Sequence, residues 1–312
     1  MSAARAERRH SGVQAALAAE SRVDAGPVTD SGVAQARRPE KRSGPPVRLR
    51  TVALPNEHGA WAFVLEPALL GLLAWPSTAG ALIAAAGLFA LLVQHPLSLV
   101  LADVRRHKRY PRTRIAGTFV AGYGALLVAA SAVAVLTAQR VDAFLLILPA
   151  APLALAQLAY DARNQGRRLA PELAGSVAMA SLAAVILRVG GAPWSAALVA
   201  WSVLAARNLA SIPYVRARLE RQRGVPAGQV PLRVGAVYLV HAAGLLWVTA
   251  TAVFAVTPWW AVAAFGVLFA RAVVGLRDAA PAVPAKRIGI LEMAYGLMVV
   301  ATLAVPTMVV PG

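Results

Sequence analysis

The 312 residues are 58% hydrophobic and only 14% charged, and the apolar residues gather into runs long enough to cross a hydrocarbon layer about 30 Å thick. No cysteine is present, which removes disulfides and thiolate metal sites. A formal charge of +17 would suit a nucleic-acid binder, but the cations sit beside the apolar runs, so they point to membrane topology and no nucleic-acid partner is expected.

Residues 1–50 hold ten Lys/Arg among Gly, Ser and Pro, without an apolar run of signal-peptide length, and read as a disordered basic cytoplasmic tail. Residues 51–312 read as one transmembrane domain with apolar segments at about 57–75, 78–102, 115–137, 141–160, 172–189, 194–212, 231–256, 259–276 and 288–310. The expected fold is therefore an all-α polytopic transmembrane bundle of nine spans. Of 31 Lys/Arg, 29 fall in the tail or in the stretches 105–114, 163–168, 207–233 and 271–287, which cover the joints after spans two, four, six and eight, leaving Arg140 and Arg188 on the other side. The positive-inside rule then predicts a cytoplasmic tail, cytoplasmic long loops and an outside C-terminus.

Span one opens with LPNEHGAWAFVLEP, residues 54–67, where Asn56 suits an N-cap and Glu57 a first-turn acid. Glu66 lies nine residues beyond Glu57, about 14 Å deeper in a helix, and shares its face with Gly59 and Ala62. It is expected to point into the bundle, protonated or paired, beside a bend at Pro67. Glu57, His58 and Glu66 are candidate catalytic or proton-handling groups.

The joint after span two reads SLVLADVRRHKRYPRTR, residues 98–114. Its Arg105, Arg106, Lys108 and Arg109 are candidate contacts for an anionic head group, because guanidinium forks match phosphate geometry; fixing topology is the plainer role of such a loop. Further along, His241 in span seven has Tyr238 and Gly244 three residues to either side. Glu292 in span nine follows Gly289 and precedes Tyr295 and Gly296. Ionisable groups at membrane depth mark functional sites by default, with a neutral interhelical hydrogen bond as the plainer alternative. Lys286 and Arg287 add cations at the mouth, whereas Pro171 and Glu172 read as an ordinary helix start.

The pieces PNEHGAW (55–61), QHP (94–96), RYPRT (109–113) and KRIGILE (286–292) resemble the YwiC-like bacterial membrane proteins. That resemblance implies a location in the bacterial cytoplasmic membrane and no particular reaction. In architecture the chain is also similar, more distantly, to UbiA-type prenyltransferases, whose Asp-rich loops after spans two and six hold Mg²⁺ and a prenyl diphosphate. Here Leu99, Asp103 and His107 stand at the three positions of an Asn-x-x-x-Asp-x-x-x-Asp pattern, and the sixth loop offers only Glu220. One acid per loop among arginines makes a poor Mg²⁺ site, so no metal and no cofactor is expected.

Besides a structural or assembly role beside another membrane protein, two functions stay open from these residues. One is a UbiA-like pocket with an Arg-rich mouth that binds or modifies an isoprenoid or another anionic membrane lipid, as a divergent enzyme or a non-catalytic binder. The other is a small-solute or proton-coupled transporter in which Glu66, His241 and Glu292 exchange protons.

Overall fold

A computed structural model describes residues 49–54, 61–108, 110–163, 165–224, 230–277 and 280–309. The expected tail as far as residue 48, the Asn56 cap, Glu57, His58 and Arg109 lie outside the described residues, whereas residues 49 and 50 are helical. No strand occurs among them. A short helix α1, Leu49–Ala53, precedes α2, Ala62–Ala74, α3, Thr78–Arg105, and α4, Pro111–Thr137. A 3-10 turn, Val141–Leu146, runs into α5, Ile147–Asp161. Then follow α6, Leu169–Val189, α7, Trp194–Gln222, α8, Val230–Val253, α9, Trp259–Gly275, and α10, Ala285–Val309.

From α2 onward the helices fall on the nine apolar segments, and seven of them are long and apolar enough to cross a membrane; α2 and α9 are shorter apolar helices. The ends are set locally. Ser77 accepts a hydrogen bond from the Gly80 amide at 2.9 Å and starts α3. Pro111 occupies the first turn of α4, and the Thr113 hydroxyl accepts from the Tyr110 amide at 3.1 Å.

Helix α6 is the hub, packing against α2, α3, α5 and α7. Association of helices in lipid depends on close packing rather than on water exclusion, and small residues permit it. Ala180, Ala183 and Ala184 are accordingly buried on α6, and a Cβ at Gly71 of α2 would lie 2.5 Å from Ile186 Cγ2, so only glycine lets these two helices approach. Helix α4 instead presents Leu126, Val128, Val133 and Leu136 outward, as a lipid-facing helix does.

The tight turns gather at one end of the bundle. The Gln139 amide donates to the Val189 carbonyl at 2.9 Å, and Gly190 and Gly191 lie against Trp75. At the other end, which carries the longer loops, Arg218 donates to the Gly275 and Pro281 carbonyls and Arg221 to Leu276. Cations from α7 thus satisfy orphan carbonyls just past the end of α9 and favour the negative end of its dipole.

Candidate functional site: a buried charge network between helices

Helix α2 carries Glu66 directly before Pro67, and its residue is 2% exposed. Its Oε1 lies 3.0 Å from Nη2 of Arg207 on α7, whose residue is equally buried. The contact is an ion pair by distance without an aligned hydrogen bond, since Glu66 Oε1 has no hydrogen-bond partner among the described residues. Arg207 is held from two other directions. Nη1 donates to Asn208 Oδ1 at 3.0 Å, and Nη2 donates to the backbone carbonyl of Glu292 on α10 at 2.6 Å. Asn208 in turn donates to the Ser176 carbonyl of α6 at 3.1 Å.

The Glu292 carbonyl is reachable because the residue one turn on is Gly296. A helical carbonyl already accepts one bond and keeps a second lone pair, which a side chain at position i+4 tends to cover. A Cβ at Gly296 would collide with the Glu66 carboxylate and lie 2.7 Å from Arg207 Nη2. Gly289, one turn before Glu292, has nothing within 4 Å of its Cβ position, so the two glycines flanking Glu292 do not share a purpose.

The Glu292 side chain forms the second pair, with Arg271 of α9. Arg271 Nη2 lies 3.3 Å from His241 Nε2 on α8, and His241 Nδ1 lies 2.8 Å from the Val237 carbonyl. A guanidinium only donates and a carbonyl only accepts, so this geometry requires the neutral ring protonated on Nδ1. The Arg271 guanidinium also sits 4.1 Å over the Tyr214 ring and 5.0 Å over Tyr295, where ring faces favour a cation.

Glu66, Arg207, Glu292, Arg271 and His241 therefore come from five helices and form one balanced set of two carboxylates, two guanidiniums and a neutral imidazole. Its hydrogen-bonding capacity is not used up. Arg207 Nε, Arg271 Nε, Glu292 Oε2 and the hydroxyl of Ser211, one turn beyond Arg207, have no hydrogen-bond partner among the described residues.

The loop candidates lie apart from this network. Arg105, Arg106 and Lys108 are exposed at the end of α3, beside the outward-facing Val104, and Lys286 and Arg287 are exposed at the start of α10. Asp103 accepts from Arg112 Nη2 at 3.0 Å and from the Thr113 hydroxyl at 2.7 Å. Glu172 is paired with Arg216, and Glu220 with Arg233. The acids that a UbiA-type metal site would recruit are thus engaged by arginines.

Arg207, late in the sixth apolar segment, is legible in the sequence as an ionisable group at membrane depth, whereas Arg271 is masked by its place among the cations of residues 271–287; both lie inside helices and are buried or nearly so. The legible signal is charge balance, because two acids inside apolar segments require partners, and Arg207 and Arg271 both fall within apolar segments, 194–212 and 259–276.

Helices of this length and hydropathy, packed around small residues with ionisable groups turned inward, define a multi-pass integral membrane protein. Residues 54–187 match the model of the YwiC-like protein family, so the resemblance in PNEHGAW and QHP extends over α2 through most of α6. No curated protein and no solved structure matches the chain. The matched segment contains Glu66 and Ser176, whereas Arg207, His241, Arg271 and Glu292 lie beyond it.

Proposed function

We propose that the protein is a proton-coupled transporter of a small solute in the bacterial cytoplasmic membrane, with Glu66 and Glu292 as its proton-accepting groups. The observation that carries this reading is the charge network spread over five helices. Two ion pairs between separate helices rearrange when one carboxylate is neutralised, because each proton taken up frees a buried guanidinium. A purely structural brace would not need the neutral His241 beside Arg271. For orientation, removing Arg207 and Arg271 from the 29 loop and tail cations still leaves 27, which favours a cytoplasmic long-loop end. With nine crossings the C-terminus is then outside.

Infrared difference spectroscopy on acidification of the purified protein tests the proton reading without a known solute. A protonated-carboxyl band should appear in the wild type and move in Glu66→Asp, which keeps the charge and shortens the reach. If no band outside the exposed carboxylates titrates while the protein stays folded, the network is an inert brace and this reading falls.

The exposed cations at the end of α3 favour a second role, capture of an anionic membrane lipid or isoprenoid phosphate in a UbiA-like arrangement. Arg105, Arg106 and Lys108 stand beside Val104, which is 60% exposed, so charge and apolar surface adjoin there. Replacing the three cations by Gln should reduce co-purifying anionic lipid in native mass spectrometry; unchanged lipid would leave these residues with topology alone.

A further inference from the structure

At the tight-turn end, a cavity of about 410 Å³ is lined by Leu70, Trp75, Ala200, Ala252, Trp259 and Leu303 among others, and its walls are largely apolar. Of its polar groups, the Thr257 hydroxyl is already bonded to Thr251 at 2.9 Å. The volume lies within the ~300–1,000 Å³ usual for small-molecule sites.

The cavity is in register with the charge network. Leu70 is one turn beyond Glu66, Ala200 seven residues before Arg207, and Leu303 seven after Gly296. Separations of four and seven residues return to the same helix face, so the faces of α2, α7 and α10 that bear the network also bear the cavity, about 6 to 10 Å nearer the tight turns. Between them stand Val203, Leu204, Val299 and Val300, each almost fully buried, as a single apolar layer. Behind that layer lies Arg207, 2% exposed, with its Nε and the neighbouring Ser211 hydroxyl unpartnered.

We propose that this cavity admits a small organic monoanion with an apolar body, which passes the apolar layer to bind Arg207 as Glu66 takes up a proton. The inference rests on the proton-coupled reading above and names its solute. Charge dictates the coupling. The network is neutral as it stands, and an anion entering alone would add an uncompensated charge to an apolar interior. A proton transferred from water to the Glu66 carboxylate releases Arg207 and restores neutrality, so proton and anion enter together, one for one. The cavity selects the body of the solute. Few free donors line it, so a strongly hydrated ion such as sulfate would lose its water without replacement, whereas an aromatic or short alkyl group replaces water with apolar contact.

Benzenesulfonate is a suitable probe because it stays ionised and does not cross a bilayer as a neutral acid. Proteoliposomes enclosing a pH-sensitive dye, at equal pH on both sides, should acidify inside when benzenesulfonate is added outside, and not when sulfate is added. Over the pH range in which Glu66 is ionised in the unliganded protein, binding should tighten about tenfold per unit fall in pH, since one proton is bound with each anion. Ala252→Phe, which fills the cavity, should abolish the acidification while leaving the infrared titration of Glu66 as in wild type. Absence of acidification in a wild type whose carboxylates do titrate overturns the anion inference and leaves the proton reading standing. Acidification that persists in a folded Ala252→Phe protein, or that sulfate drives equally well, overturns the cavity as the route.

Discussion

Gly296 of α10 leaves the space that the Glu66 carboxylate of α2 occupies, although 230 positions separate them in the chain. The same absent side chain exposes the Glu292 carbonyl to Arg207 at 2.6 Å, so one glycine serves both an ion pair and a hydrogen bond.

Adding a methyl group at this point should therefore be costly. Gly296→Ala is expected to destabilise by about 1–3 kcal/mol, the range for overpacking, because carboxylate and guanidinium must both shift. Gly289→Ala, whose Cβ meets nothing within 4 Å, should be neutral or slightly stabilising through helix propensity. Unfolding in mixed micelles compares the two, and equal effects would show that Gly296 does not shape the network.

The Glu66–Arg207 pair should behave as a coupled unit. Each side chain is about 3% exposed, so solvent screening is slight. Glu66→Gln alone leaves Arg207 as a buried charge without its carboxylate, and Arg207→Gln does the converse; each should cost about 3–5 kcal/mol. The double variant should cost less than the sum by at least about 1 kcal/mol in a double-mutant cycle. Strict additivity would mean that the 3.0 Å contact carries no energetic coupling.

Orientation follows from charge and can be read chemically, since the chain has no cysteine of its own. Gln139 lies in a tight turn and Gln222 at the end of α7. A cysteine introduced at Gln139 should react with an impermeant thiol reagent added outside intact cells, and one at Gln222 should not. The reverse labelling would place the exposed cations of α3 outside and reverse the cavity's access.

The sequence by itself determined the class. Uninterrupted apolar segments leave the backbone no stable choice in lipid but helices, and each segment finds its helix in the structure. It also exposed Glu66, His241 and Glu292, because a charged or polar letter inside an apolar run is a local signal. Of the nine apolar segments only α2 and α9 form helices too short to cross a membrane by length alone, and these two bear Glu66 and Arg271. What tertiary structure alone decided is who partners whom. A helical repeat specifies a face but not the neighbour that covers it, so Gly289 and Gly296 look alike in the sequence while only Gly296 makes room for another helix's carboxylate. Likewise the sequence places Arg207 and Arg271 inside apolar segments without naming their partners; packing sets them beside acids from α2 and α10, where desolvation makes pairing obligatory.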